Sequence, residues 1–514
     1  MSQKTYYITT PIYYVNGAPH LGHAYTSTAA DTLARWHRLA GEDVFFLTGT
    51  DEHGQKVEAA ARQAGVEPQA FTDGIAADFR DMAARMNISN DDFVRTTQPR
   101  HKAAAQALWQ RLEEAGAIYL GAYEGYYAVR DEAYYDESEL TRRPDGTMVA
   151  TATGAPVELV NEPSYFFRLS DYQDRLLDYY EAHPGFIAPQ AKRNEIVSFV
   201  KSGLRDLSIS RTKFSWGVPV PGNESHVMYV WLDALVNYLT AIGYPDMEAQ
   251  RAHYWPASLH LVGKEIIRFH AVYWPAFLMA AGLPLPHRVF SHGWWTVEGE
   301  KMSKSLGNFI DVRPLVEEVG LDQVRYFLLR EVPFGNDGDF SRRALITRVN
   351  ADLANGLGNL AQRTLSFIAK NAGGQIPPRG ILQEADHTLL AQASALPERV
   401  DAAMARIAFH EALDEVWKLI RAADAYIDHQ APWSLRKTDL PRMNTVLYTL
   451  CGVLRVVGIV LQPFMPDSMA RLLDYLGVGA ERSLDSLDTS LAEGTVLPAP
   501  TGLFPRLLED PHAD

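Results

Sequence analysis

The chain has 514 residues, enough for roughly three to five structural units at the usual domain size. Hydrophobic residues make up 47% and charged residues 22%, which excludes a disordered or collagen-like chain. The formal charge is −15, which excludes a bulk positive coat for nucleic acid but leaves room for local basic sites. The single cysteine, Cys451, rules out an intramolecular disulfide and a thiolate-rich zinc centre.

In chain order, the N-terminus carries no apolar signal core. Tyr6 to Thr9 predicts a strand, Pro11 to Pro19 a turn, Leu21 to Leu39 a helix and Val44 to Leu47 a second strand. Strand, helix, strand in that order is a βαβ unit and predicts a parallel sheet. Residues 115 to 216 differ in texture, being rich in Tyr and short β-like runs with a turn at Pro144-Asp145-Gly146, and read as an insertion. Leu259 to Val262 and Arg288 to Ser291 read as later strands of the same sheet.

After about 345 the pattern is helical. Phe409, Leu413, Val416, Trp417 and Ile420 mark one apolar helix face, and several such helices imply a bundle. The apolar stretch Val446 to Leu461 contains Arg455 and is followed by Pro463 and Pro466, so it reads as a buried helix and not a membrane span. From Leu487, scattered Pro and Gly predict a tail over the surface. A soluble cytoplasmic protein without membrane association is expected.

Two motifs carry chemistry. His20-Leu21-Gly22-His23 sits where the first helix begins. A helix N-terminus offers free N–H groups to phosphate, and two histidines three apart can add donors. The same residues also suit capping histidines or a zinc pair. Lys301-Met302-Ser303-Lys304-Ser305 follows a hairpin-like Glu298-Gly299-Glu300. Two lysines in a Ser/Gly setting suit a loop that stabilises charge developing on a triphosphate. A solvated basic turn would look the same.

In this order, about 280 residues apart, the pair resembles the HIGH and KMSKS signatures of class I aminoacyl-tRNA synthetases. Pro11 to Gly17, Gly49-Thr50-Asp51-Glu52-His53-Gly54, Val230-Trp231-Leu232-Asp233-Ala234 and Val262 to His270 narrow the resemblance to the methionyl-tRNA synthetase family, from Thr5 to about Gly477. It implies an α/β protein. A Rossmann-type parallel-sheet catalytic domain (1–114 and 217–300) is interrupted by a connective insertion (115–216). A KMSKS and stem-contact region (301–345), an α-helical anticodon-binding domain (346–487) and a C-terminal tail (488–514) follow.

The resemblance implies catalysis by His20, His23, Lys301 and Lys304, and ATP binding by His20, Gly22, His23, Gly263, Glu265, His292 and Lys304. His292 equally suits a satisfied core histidine. Methionine would be held by Pro11, Ile12, Tyr14, Asp51, Trp231, Ala234, Leu235, Tyr238, Ile266, His270 and Trp274. Asp51 can pair with the substrate ammonium or cap its strand, and thioether–ring contacts are favourable by roughly 0.3–1.5 kcal/mol each. Both tryptophans also suit a plain core. Leu235 stands where some family members have proline.

Mg²⁺ is implied with ATP. Relatives carry zinc knuckles in the insertion, but here Ala128, Asp131, Ala150 and Thr153 stand at the four ligand places, so no zinc is expected. Tyr126, Tyr134 and Tyr135 would pack the knuckle instead. Asn355, Asn359 and Arg363, spaced as one helix face, with Trp433 after Ala431-Pro432, match the family's anticodon readers. An Asn-bearing solvated face and a buried Trp are the plain alternative. The acceptors would be initiator and elongator tRNA(Met). Without the C-terminal extension through which some members dimerise, a monomer is expected.

Other readings fit less. Isoleucine, valine and leucine enzymes need a large editing insertion, and a cysteine enzyme needs zinc. A small nucleotidylyltransferase needs no helical domain. A non-catalytic tRNA-binding protein would not need both motifs intact.

Overall fold

Thr5–Thr9 runs parallel to Asp43–Asp51 on one side and to Leu259–Gly263 on the other. The structure, a computed structural model, describes residues 3–15, 17–131, 133–297, 299–302 and 308–508, apart from the side chains of Tyr123 and Lys301. Val289–His292 and Ile187–Ala188 extend the sheet beyond Leu259–Gly263. Asp92–Arg95 and Tyr13–Tyr14 both pair with Asp43–Asp51. Every pairing in this sheet is parallel, and Leu259–Gly263 is buried at all five positions, as a strand covered on both faces must be. From Thr5–Thr9 the chain winds one way to Asp43–Asp51, then returns on the other side through Leu259–Gly263. That reversal opens a crevice at the carboxyl ends of the two central strands, where α/β proteins bind ligands.

The helix Leu21–Leu39 begins as predicted. Its cap is made by the two histidines. Gly22 N–H donates to His20 Nδ1 at 3.0 Å, and His20 N–H donates to His23 Nδ1 at 3.1 Å. A Cβ on Gly22 would stand 2.9 Å from the His20 ring, so this position needs glycine for the cap itself.

The insertion is built on a long antiparallel pair, Ile118–Ala128 with Glu158–Phe167, flanked by Ala133–Tyr135 and Leu207–Ser208. Tyr127 packs on Tyr134 at 5.0 Å, and the Arg211 guanidinium sits 4.3 Å from the Tyr134 ring and 4.8 Å from Tyr229. The expected packing by Tyr126 is corrected to Tyr127. Successive strand residues face opposite ways, and the Tyr127 face is the buried one.

The C-terminal half is helical, with Glu384–Ser394, Leu396–Met404, Phe409–Gln430 and Leu440–Leu461 packed together. Among the described residues only Leu440–Leu461 is long and apolar enough to cross a membrane, and 83% of its most apolar stretch is buried in this bundle. Arg455 is tolerated there because its guanidinium donates to the Ser486 and Thr489 carbonyls.

One buried guanidinium joins the two halves. Arg325 donates to Asp31 in the first helix at 2.7 Å and to the carbonyls of Met86, Pro463 and Phe464 at 2.9–3.1 Å. Burial raises the Asp31 pKa, but Arg325, Arg35 and the Ser89 hydrogen bonds outweigh it and keep the carboxyl below its usual range.

The tail from Leu487 is mostly exposed and is docked at two points. Leu503 and Phe504 are buried, and the Asn350 amide makes two hydrogen bonds to the Leu507 backbone, at 2.8 and 2.9 Å. Two large apolar side chains are enough to dock a segment that has no periodicity of its own.

Candidate active site

The crevice at the switch point is a cavity of about 420 Å³. Its walls come from the ends of the central strands, the first helix, and the stretch 231–238.

At one end stand His20, Gly22, His23, Gly263, Glu265 and His292, the residues that the resemblance assigns to ATP. Both Nδ1 atoms of the histidine pair accept backbone N–H bonds, so the proton of each neutral ring sits on Nε2. Burial, with His20 adding to it, holds the His23 pKa well below the usual imidazole range. His23 is therefore a neutral donor at the N-terminus of the first helix. Glu265 Oε2 accepts from Trp294 Nε1 at 2.6 Å. A Cβ on Gly263 would collide with the Glu265 carboxylate at 2.6 Å, and one on Gly293 with the Asn336 carbonyl at 2.2 Å. Both glycines allow close approaches that shape this end.

Both nitrogens of His292 are taken up by the protein. Nδ1 donates to the Gly293 carbonyl at 2.8 Å, and Nε2 meets Thr26 Oγ1 at 2.9 Å. Burial holds this ring neutral too, so it lines the cavity as a pillar. Lys301 ends the strand Glu300–Lys301, paired with Trp295–Val297. Its side chain, and the whole of Lys304, lie outside the described residues.

The other end is lined by Pro11, Ile12, Tyr14, Asp51, Trp231, Ala234, Leu235, Tyr238, Ile266 and His270. Asp51 ends its strand and is 6% exposed. Trp231 stacks on Phe269 with ring centres 3.8 Å apart and planes within 5°. His270 Nδ1 donates to the Ile266 carbonyl at 2.9 Å, so Nε2 accepts from the Tyr238 hydroxyl at 2.7 Å. Burial pushes the His270 pKa down to about 4, with the Ile266 bond opposing. His270 therefore orients Tyr238, and its own nitrogens are already engaged.

Trp274 is the one methionine residue of the sequence reading that does not line the cavity. It is fully buried and donates from Nε1 to His260 Nε2 at 3.3 Å, and His260 in turn stacks on Tyr238 at 4.1 Å. The π-turn Phe269–Tyr273 carries His270, which lines the cavity, and leads into Trp274, which does not.

Sequence reasoning missed Thr26, Asn237, Lys56, Arg130 and Asp131, which also line the cavity, whereas Trp294 lies in the segment Gly293 to Val297 that the resemblance sets beside the adenine. Arg130 and Asp131 arrive from the insertion, where no local signal points at the sheet. Asp131 accepts from Tyr135 Oη at 2.9 Å and from Thr153 Oγ1, while Arg130 Nη2 donates to the Thr153 carbonyl at 2.5 Å. These bonds join the two turns whose would-be ligand places Ala128 and Ala150 are buried methyl groups. Among the described residues no three His, Cys, Asp or Glu side chains are grouped to hold a metal ion.

Far from the cavity, Asn355 and Asn359 are exposed, and Arg363 is half-buried. Asn355 lies in a π-helical stretch, Val349–Gly358, and Asn359 begins the α-helix Asn359–Asn371 that follows it. The Arg363 guanidinium sits 5.6 Å from the Trp433 ring and bonds Asp428 at 2.5 Å. Trp433 is 43% exposed and is not a core residue.

Parallel sheet, switch-point cavity, a histidine-capped first helix and the helical half are the architecture that the resemblance to class I aminoacyl-tRNA synthetases implies, and the family model shows that class. The family described as tRNA synthetases class I (M) matches residues 6–145 and 145–365, and the anticodon binding domain of methionyl tRNA ligase matches 376–514. The methionine–tRNA ligase of Mesorhizobium japonicum is 56% identical over 100% of both chains, and that of Brucella suis 58% identical over 99% of both. The fold superimposes on Mycobacterium tuberculosis methionyl-tRNA synthetase in complex with methionyl-adenylate with a TM-score of 0.96 at 53% identity, covering 98% of this chain and 100% of that one. The chain belongs to the methionyl-tRNA synthetase family.

Proposed function

We propose that this cavity is where the chain activates L-methionine with ATP and then transfers the methionyl group to the 3′-terminal ribose of tRNA(Met), for initiation and elongation alike. A carboxylate oxygen of methionine attacks the α-phosphorus. The bond to the bridging oxygen breaks, and pyrophosphate leaves with that electron pair. A hydroxyl of the terminal ribose then attacks the methionyl carbonyl and AMP departs. No covalent nucleophile of the protein is needed, so catalysis is positioning and charge stabilisation.

One observation carries the reading. Asp51, a buried carboxylate, lines a single cavity together with His20 and His23, whose Nδ1 atoms are used in the helix cap so that Nε2 carries each ring's proton. Asp51 is suited to the substrate ammonium, Tyr238 and Trp231 to the thioether chain, and the histidines to phosphate oxygens. Glu265, steadied by Trp294, is suited to the ribose hydroxyls. Lys301 and Lys304 are assigned to the triphosphate on their motif alone.

The lining carboxylates Asp51, Asp131 and Glu265 form no metal-ligating group among the described residues, which suits an ion that arrives on its substrate. Mg²⁺ arriving with ATP would supply neutralisation of phosphate charge. The knuckle is read as needing no zinc, because alanine offers no ligand atom and Asp131 is hydrogen-bonded to its neighbours. Amino-acid-dependent pyrophosphate exchange tests the whole reading. Exchange is expected with methionine and not with leucine, isoleucine or cysteine, and equal exchange with any of these overturns it.

The helical half is assigned to the anticodon through Asn355, Asn359, Arg363 and Trp433. A stacked base is worth roughly 1–3 kcal/mol by alanine substitution, so Trp433→Ala should lower kcat/KM for tRNA by about 5- to 150-fold. Exchange without tRNA should be unchanged. Equal damage to both activities would make Trp433 a structural residue.

A further inference from the structure

Behind the methionine wall lies a buried network that the mechanism does not use. His53 Nδ1 meets Asp233 Oδ2 at 2.6 Å, and His101 Nε2 meets Asp233 Oδ1 at 2.7 Å. His101 Nδ1 continues to Thr240 Oγ1 at 3.1 Å. His53, His101 and Asp233 are each no more than 1% exposed, and none of them lines the cavity. Burial works against ionisation of Asp233, but the facing rings of His53 and His101 outweigh it and hold the carboxyl far below its usual range. With an ionised acceptor, both ring nitrogens must donate.

The network's attachment points give it meaning. His53 follows Asp51 by two residues, just past the end of the strand Asp43–Asp51. Asp233 lies in the short helix Val230–Leu235, which carries Trp231, Ala234 and Leu235 into the cavity. Thr240 ends the four-residue helix Asn237–Thr240, which carries Asn237 and Tyr238. His101 belongs to the long helix Pro99–Glu114, which does not reach the cavity. Helices of four and six residues do not hold themselves in water, so their placement comes from tertiary contacts. A carboxylate wholly removed from water is held in turn by whatever satisfies its charge.

We propose that Asp233, clamped between His53 and His101, is a positioning residue for methionine recognition. It fixes the distance between the Asp51 carboxylate and the Trp231–Tyr238 wall, and so sets the affinity for the amino acid and not for ATP. The ATP end of the cavity hangs on the first helix and on Gly263–Glu265, which the network does not touch. The inference rests on the assignment of this wall to methionine.

Pyrophosphate exchange with purified Asp233→Asn, His101→Leu and His101→Gln variants tests it, with KM for methionine and for ATP measured separately. In Asp233→Asn one ring N–H loses its acceptor. Misplacement of reacting groups by about 1 Å costs up to ~10²-fold, so a rise of about tenfold or more in KM for methionine is expected, with KM for ATP within about twofold of wild type. His101→Leu should act the same way. His101→Gln keeps an N–H that can reach Asp233 and should restore most of the affinity, which a purely space-filling role would not predict. If Asp233→Asn does not fold, the His101 pair decides by the same ratio. Equal rises in both KM values, or an unchanged KM for methionine, overturn the proposal. A wild-type protein without methionine-dependent exchange overturns the assignment of the wall, and this inference with it.

Discussion

Asp51→Asn is expected to lower kcat/KM for methionine by about 30- to 4000-fold while leaving KM for ATP nearly unchanged. Removing one partner of a buried, hydrogen-bonded charge pair costs roughly 2–5 kcal/mol, and about 1.4 kcal/mol is a decade. Asp51 is 6% exposed and shares the cavity with Trp231, Tyr238 and Ile12, so little water screens it. The substitution keeps size and shape and removes only the charge. Its backbone role survives, because the Val15 N–H donates to the Asp51 carbonyl and not to the side chain. The measurement is pyrophosphate exchange at varied methionine. A value of kcat/KM close to wild type would make Asp51 a strand-end residue and remove the ammonium site from this wall.

His23→Ala is expected to slow adenylate formation by roughly 10²–10³-fold, the loss seen when one preorganised donor to developing negative charge is removed. KM for methionine should change little, since the donor acts on phosphate charge that appears only in the transition state. The geometry allows a sharper version. His23 Nδ1 caps the His20 N–H, which leaves the ring's proton on Nε2, and the residue lines the cavity. His23→Asn can keep the capping acceptor and loses the Nε2 donor. If the histidine acts on phosphate, Asn and Ala variants fall alike in single-turnover adenylate formation while Asn retains the wild-type thermal stability. If its role is only to start the helix, Asn restores the rate. Because burial keeps the His23 pKa low, its contribution should also be flat across neutral pH.

The elements that were legible in the sequence are those whose signal is local. The helix Leu21–Leu39 shows in its apolar period, and Leu259–Gly263 in an unbroken apolar run. Leu440–Leu461 could be told from a membrane span by Arg455 and the prolines that follow it. His20, Gly22 and His23 were legible as a motif at a helix start, and the structure sets them in the cap and the cavity wall. Even there the sequence missed half the reason for Gly22, which leaves room for the His20 ring as it folds back to cap the helix.

What the sequence could not reveal are the meetings of buried polar groups over long separations. Asp233 finds His53 and His101 across 180 and 132 residues, and Arg325 finds Asp31 across 294. Trp274 reads as a pocket tryptophan, yet it does not line the cavity and serves Tyr238 through His260. Arg130 and Asp131 reach the cavity only because the insertion folds back over the sheet. The sequence by itself determined the parallel sheet, the helical half, the start of the first helix at His20 and the family. Only the tertiary structure decided which histidines line the cavity and which are buried away from it. Hydrophobic periodicity records that a side chain is buried, whereas the partner of a buried polar group is set by the packing of elements distant in the chain, since that group must find its hydrogen bond wherever the fold leaves one.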